Sequence, residues 1–252
     1  MATKKLVTKS LDEKPERFKL GESGHLGLNI FSGVSNDELK REMNFPNNIK
    51  VYKDMSYHSA INASLTLFEN IIGKATWSFK PPRDATAEEK TQCDVVNTML
   101  KDMEHTWAEF IRDILSMNIY GFSVHEKVYR RRLKSNGSMY DDGYIGWKKL
   151  PIRAQETIQK FLFSDDGNDI TAVKQSITGV SDTYNRYENR KSNEIVLGRA
   201  KVMLFRAGRH RGDPYGKSPL RDAYLAWRFL TALEDLEAVG VSKDLNGIPV
   251  NL

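Results

Sequence analysis

A single cysteine, Cys93, stands in the 252 residues, which excludes an internal disulfide and any cysteine-built metal site. On its expected helix it reads as a small core hydrophobe. Apolar runs are short as well: none reaches the roughly 20 residues that a bilayer-spanning helix needs, and none follows the basic N-terminus as a secretory signal would. The expectation is a soluble, cytosolic protein with no membrane partner. The five histidines (His25, His58, His105, His125, His210) are far apart in the chain. None has a second histidine or a carboxylate at metal-ligand spacing. There is no Gly-x-Ser-x-Gly elbow and no lysine-activated serine, and Glu126-Lys127 lacks the intervening residue of a nuclease-type Glu-x-Lys. The glycines between Gly21 and Gly27 follow neither dinucleotide nor Walker spacing and read as loop. Arg211-Gly-Asp213 matches an adhesion tripeptide by chance. No catalytic residue, cofactor or metal ion is expected, and the protein is not read as an enzyme.

What is present begins with charge. Lys and Arg number 38 against 33 Asp and Glu, a net charge of +5. That excess favours a polyanionic neighbour, although many of the charges are dispersed and solvate helix faces. Two clusters stand out. Arg130, Arg131 and Arg132, with Lys134, lie at the end of an expected strand; Arg206, Arg209, His210 and Arg211 lie in a loop. Either would meet phosphates in a sequence-independent, salt-sensitive way. Ion pairing between subunits with Glu234, Asp235 and Glu237, or simple solvation, is the preferred reading of them. Residues 1–48, with Lys4, Lys5, Lys9, Lys14 and Arg17 near the start, read as a flexible basic arm.

The middle of the chain alternates helix and strand signals. Tyr52 and Asp54 precede a helix whose apolar face is Ile61, Leu65, Phe68 and Ile72, closed by Gly73 as a C-terminal cap. Ala75 to Lys80 reads as an edge-like strand with Trp77 and Phe79 inward, cut by Pro81-Pro82. Thr86 with Glu89 and Thr106 with Glu109 both fit the capping box, so two helices are predicted. The second buries Trp107, Phe110, Ile111, Ile114 and Leu115 and stops before Gly121. Phe122, Val124 and Val128 alternate as a strand. The stretches 122–133 and 144–150 flank a polar turn at Ser135-Asn136-Gly137, as in a hairpin. Further strands are expected over 157–163 and 170–177, joined at Asp165-Asp166-Gly167.

The C-terminal stretch is the most informative. Lys201 to Phe205 is a short strand, stopped by the basic loop from Gly208 to Gly216. Ser218 supplies a cap and Pro219 a first helical residue with no donor to lose. A helix then runs from Leu220 to about Lys243, roughly 35 Å. Its apolar residues cover more than one stripe, so it needs partners on several sides. Tyr224, Trp227, Glu234 and Glu237 are the candidates for packing between subunits. A core helix of a globular domain shows the same pattern.

The order strand, basic loop, Gly216-Lys217-Ser218-Pro219, long helix and Asn246-Gly247-Ile248-Pro249 resembles the portal proteins of tailed bacteriophages. Tyr120 to Glu126 and the strand pair ending at Gln175 extend the resemblance, which runs from about Lys50 to Val250 and is nearest to the Mu-like branch. It implies an α+β fold. A wing-like domain over 49–217 would pack helices on a mixed or antiparallel sheet, and 218–252 would hold a long helix and a truncated connection towards a stem and clip region. The implied function is that of a structural subunit in a dodecameric ring at one capsid vertex, part of the channel for DNA packaging and ejection and of the head-tail connection. The implied partners are copies of itself, the major capsid protein, the terminase large subunit, a head-tail adaptor and double-stranded DNA. The implied location is the virion, reached through assembly in the host cytoplasm. Two readings compete: a metal-dependent nuclease working through the loop from Arg206 to Arg211, and a capsid or adaptor protein that only binds partners.

Overall fold

The computed structural model describes residues 24, 27–28, 30–31, 34–35, 38–177, 194–208 and 212–245. The fold is α+β. After a small β1–β2 pair (Ile30–Phe31, Val34–Ser35), the helix α1 (Asn47–Ser56) buries Ile49, Tyr52 and Met55. That three-residue spacing places them along one face. Tyr52 and Asp54 therefore lie inside a helix of their own, and the next helix, α2 (Ser59–Gly73), begins after an extended His58.

On α2 the expected face is only partly used: Ile61, Leu65 and Ile72 are half-buried, while Phe68 is exposed. Gly73 is the last helical residue and no cap in the left-handed region follows it. The strand expected over 75–80 is absent, and Trp77 and Phe79 point outward. The physical reason is visible at Phe79, whose N–H and C=O bond the Asn97 side-chain amide at 2.8 and 2.9 Å. One amide imitates one rung of a ladder, and with no neighbouring strand the segment stays irregular.

Both capping boxes form, at the starts of α3 (Ala87–Lys101) and α4 (Trp107–Leu115). Cys93 is half-buried on α3 and is not part of the core, because Leu100 is the buried residue of that helix. A short α5 (Met117–Tyr120) ends at Gly121, whose φ is +91°.

The strands are β3 (Phe122–Glu126), β4 (Val128–Arg131), β5 (Ile145–Lys149), β6 (Ile152–Arg153), β7 (Ile158–Phe163), β8 (Ile170–Ser176), β9 (Glu194–Gly198) and β10 (Val202–Arg206). They pair antiparallel as β10-β3-β6, β4-β5 and β7-β8-β9. The expected hairpins are present, with Gly137 and Gly167 at positive φ in their turns. Central β3 is paired on both edges, Val124 facing Leu204 and Arg153. It is also covered on both faces, so Ser123 and His125 are as buried as Phe122 and Val124.

Three apolar clusters hold these layers together. The first joins Phe45, Phe122, Phe161 and Tyr215 with aliphatic residues from β7, β8, β9 and β10. Tyr215 stacks on Phe45 at 4.3 Å and meets Phe122 and Phe161 edge-on at 5.7 and 5.0 Å. The second joins Met43, Tyr52 and Met55 to Leu220 and Tyr224, and the third surrounds Phe110 with Ile111, Ile114, Leu115 and Leu150. Full burial of each such side chain contributes about 1.5–3 kcal/mol. Of the arm expected over 1–48, the residues from Glu38 onward belong to the body, since Met43 and Phe45 are core residues. Lys4, Lys5, Lys9, Lys14 and Arg17 lie outside the described residues.

Candidate inter-subunit surface

The last helix, α6 (Leu220–Leu245), is launched from a backbone crossing. Ala207 N–H bonds the Gly121 carbonyl at 2.8 Å and Lys217 N–H bonds the Ala207 carbonyl at 2.7 Å. A Cβ on Gly121 would lie 2.6 Å from Tyr215 O, and one on Gly216 would lie 2.3 Å from Gly121 O. Only glycine lets the two segments approach this closely. Two residues on, the Ser218 hydroxyl accepts from Leu220 N–H at 3.1 Å and donates to Asn118 O at 3.0 Å. It caps the helix and ties the cap to α5.

The segment 38–43 then clamps the first turns. Arg221 donates through two nitrogens to Glu38, Nη2 reaching Oε1 at 2.7 Å. Tyr224 hydroxyl donates to Glu42 at 2.6 Å and Arg228 Nη1 reaches the same oxygen at 3.0 Å. Lys40 lies 5.3 Å from the Tyr224 ring centre. The Tyr224 hydroxyl holds the Glu42 carboxyl below its usual range, with Arg228 and Lys40 adding to this and partial burial opposing it. Burial, then the Glu42 carboxylate, pushes the Tyr224 phenol up. Burial likewise pushes Tyr52, on the facing side of α1, up to about 12.

Beyond these turns the helix leaves its own chain. Its 26 residues span about 39 Å, yet among its described side chains Leu220 and Tyr224 are the only buried apolar ones. One uncovered flank carries Leu225, Phe229 and Leu236, exposed by 57%, 68% and 68%. On another side α6 and α2 enclose an apolar groove of about 550 Å³ whose walls include Ile61, Leu65 and Phe68 from α2 and Ala226, Trp227 and Leu230 from α6. Large contiguous apolar surfaces of this kind mark interaction sites on soluble proteins. Nothing in α2 is fully buried, so both groove walls are open to a partner.

The candidate residues divide on this frame. Tyr224 is enclosed by its own chain, Trp227 lines the groove, and Glu234 and Glu237 are exposed on α6. Glu38 and Glu42 fall inside the expected arm and are not among the candidates; their signal is Glu-Leu-Lys-Arg-Glu-Met-Asn-Phe, a charged run leading into two core residues, Met43 and Phe45. The arginines divide too. Arg132 is almost wholly buried, paired with Asp142 at 2.9 Å and stacked 4.3 Å from the Tyr140 ring centre. Arg130 bonds the Asp102 carbonyl and lies 3.4 Å from its carboxylate, which also accepts from Ser138 and Met139. Burial alone would raise the Asp102 carboxyl, but the Met139 N–H, the Ser138 hydroxyl and Arg130 hold it below the usual range. These two guanidiniums are engaged within the chain, whereas Arg131 is exposed. Arg206 is exposed and donates to Gly212 O and Asp213 O at 2.8 and 3.0 Å. Arg209 and Arg211 lie outside the described residues.

One constellation has a catalytic outline. Ser123 hydroxyl donates to His125 Nε2 at 2.7 Å, and His125 Nδ1 donates to Leu150 O at 3.2 Å. Both side chains are fully buried and Phe110 and Phe205 stand edge-on to the imidazole. Burial pushes His125 down to about 4, the Leu150 carbonyl opposing. A substrate has no route to this serine; the pair satisfies a buried histidine. Among the described residues there is no group of three or more His, Cys, Asp or Glu side chains placed to hold a metal ion. No helix among them is long and apolar enough to cross a membrane.

Comparison with known proteins agrees with the resemblance. A family model described as the portal protein of Mu bacteriophage matches residues 49–233. No curated protein matches the chain. The matched region runs from the start of α1 through the groove and ends within α6, so it contains the helix launch and most of the apolar flank.

Proposed function

The chain belongs to the family of Mu bacteriophage portal proteins, and from that premise we propose that it is a wing-bearing subunit of a closed ring, dodecameric as in tailed-phage portals, whose bore passes double-stranded DNA. A portal protein is a structural component of the virion at the capsid vertex. In this reading the ring forms part of the channel for packaging and ejection, contacts the major capsid protein through its wing, receives the terminase large subunit during packaging and then binds a head-tail adaptor. Assembly takes place in the host cytoplasm. The domain plan is a body from about residue 38 to 217 followed by α6.

One observation carries the proposal: a 26-residue helix that is anchored to its own chain only over its first turns and beyond them presents exposed apolar side chains such as Phe229, Leu236 and Val239 among its described residues. In a lone subunit that surface faces water at a cost of about 25 cal/mol per Å². A ring of copies removes it from water at every subunit, and cyclic symmetry satisfies every copy equally. The exposed Arg131 and Arg206 supply sequence-independent phosphate contacts along the DNA path.

Native mass measurement and negative-stain imaging of the purified chain test this. The expected result is a ring of about a dozen copies. A particle that remains a single subunit at concentrations in the tens of micromolar would sink the ring reading. The nuclease alternative predicts metal-dependent cleavage of duplex DNA, and incubation with magnesium or manganese checks it directly.

A further inference from the structure

We propose that residues 38–42 form a charged strap that holds α6 away from α2, and that releasing the strap lets α6 tilt into the α2–α6 groove and close it. The device belongs to the single chain and stands whether or not the chain assembles. In a ring it sets the angle at which every copy presents its helix.

Helix geometry puts strap and groove on different sides of α6. Arg221, Tyr224 and Arg228 are the residues that the strap holds, and at about 100° per residue they fall within about 60° of one another. Ala223, Ala226, Trp227 and Leu230 line the groove and fall within about 100°, centred about 140° away from the strap set. The first turn is the fixed end, since Leu220 is buried and the Ser218 cap is bonded to Asn118 O. Beyond it the polar hold is one-sided. Arg221 bonds Glu38 through two nitrogens, and Tyr224 and Arg228 share Glu42. Among the described residues no side-chain hydrogen bond or ion pair beyond Arg228 joins α6 to another element; the Thr231 hydroxyl bonds Trp227 O within the helix. Met43, next to Glu42, is buried in the same cluster as Leu220 and Tyr224, so the strap keeps its footing when its charges let go.

Across the groove, α2 offers an apolar wall in Ile61, Leu65 and Phe68. Small residues stand on both walls, Ala60 and Ser64 on α2 and Ala223 and Ala226 on α6, which allows the approach to the roughly 8–10 Å between the axes of packed helices. Ile72 at the far end of α2 packs on the cluster around Phe110, so α2 is the seat and α6 the moving part. Closure removes both walls from water. The opposed forces respond to salt in one direction. The side chains of the Arg228–Glu42 pair are exposed by 62% and 43%, so added salt screens it, while sulfate strengthens the burial of apolar surface. The Arg221–Glu38 pair is less exposed and is screened less, so its release calls for substitution. The exposed Lys217–Asp222 pair lies at the fixed first turn and does not oppose the tilt.

The test is a spin-label distance measurement on the full chain carrying Asn70→Cys on α2 and Ala232→Cys on α6, both exposed, with Cys93→Ser so that only these two sites are labelled. Labelled chain diluted in unlabelled chain reports distances within one chain, in rings and single subunits alike. Glu38→Ala combined with Glu42→Ala should move the distribution to shorter distances. Sodium sulfate should move the chain with its strap intact in the same direction, a readout that needs no substitution in the strap. Phe68→Glu, at a wall residue exposed by 58%, should hold the strap-free chain at the open distance. If the strap-free chain keeps the open distance, or its distribution only broadens, the strap is not what holds the groove open and the proposal fails. Shortening that persists undiminished with Phe68→Glu means that the apolar walls do not direct the motion, and it overturns closure as well. A chain that shortens as expected yet never forms rings removes the ring reading and leaves the strap standing.

Discussion

Gly216 carries a φ of +59° and would place an added Cβ 2.3 Å from Gly121 O and 2.7 Å from Ala207 O. Gly143 has a φ of +73° with nothing within 4 Å of the same position. An alanine at Gly143 meets only the left-handed backbone penalty, about 1–2 kcal/mol. At Gly216 the same penalty is joined by a collision with two carbonyl oxygens that anchor α6, so Gly216→Ala should cost well beyond Gly143→Ala in denaturant unfolding. Equal losses would mean that the close approach contributes nothing. His125 gives a second residue-scale prediction. Its pKa is about 4 in the folded chain and about 6.5 unfolded. The unfolded chain therefore binds a proton that the folded chain refuses, and stability falls as pH drops from 6.5 towards 4. The loss attributable to this side chain is about 3 kcal/mol across that window. Asp113, raised by burial, works in the opposite sense, so the measured quantity is the difference in slope between the native chain and His125→Gln. A slope unaltered by the substitution would place the titration elsewhere.

At the scale of elements, Ser218 is a cap whose hydroxyl serves two backbone groups, Leu220 N–H and Asn118 C=O. Thr86 caps the exposed start of α3. Ser218→Ala leaves a half-buried carbonyl and a buried helix donor without the hydroxyl and should cost about 1–3 kcal/mol, against about 1 kcal/mol for Thr86→Ala; thermal unfolding of both variants checks the order. These caps were legible in the sequence because a capping box and a Ser-Pro start are local chemistry. The hairpins at Gly137 and Gly167 were legible for the same reason. The strand expected over 75–80 was not, since alternation at Trp77 and Phe79 specifies a face but not a neighbouring strand, and here only Asn97 is present to pair. The buried state of Arg130 and Arg132 was likewise hidden: a run of three arginines looks the same whether its partners are phosphates or Asp102 and Asp142, which lie about 10–30 residues away in the chain. Of the candidate interface, the many-sided apolar character of α6 was readable, but the α2 wall and the Glu38–Glu42 clamp were not. Both depend on contacts between segments more than 150 residues apart.

For the molecule as a whole, the decisive contrast is between a body with three apolar clusters and a helix that projects from it with its own hydrogen bonds and few side-chain neighbours. Isolated helices shorter than about 12–15 residues are marginal in water, and the portion of α6 from Phe229 to Leu245 is only slightly longer, with all but Thr231 exposed among the side chains described as far as Lys243. Its amides should therefore open locally and exchange with solvent far faster than those of β3, which is covered on both edges and faces. On the ring reading, closure adds apolar neighbours to this segment, so hydrogen exchange compared between separated subunits and assembled particles should show strong protection appearing over 229–243 while β3 and α1 stay protected in both. A Phe229→Glu subunit that fails to assemble should keep the fast pattern at any concentration. A distal α6 already protected in the separated subunit would mean that the body stabilises it without a neighbour. The apolar flank would then be a surface the protein tolerates, and assembly would have to draw on contacts in the wing.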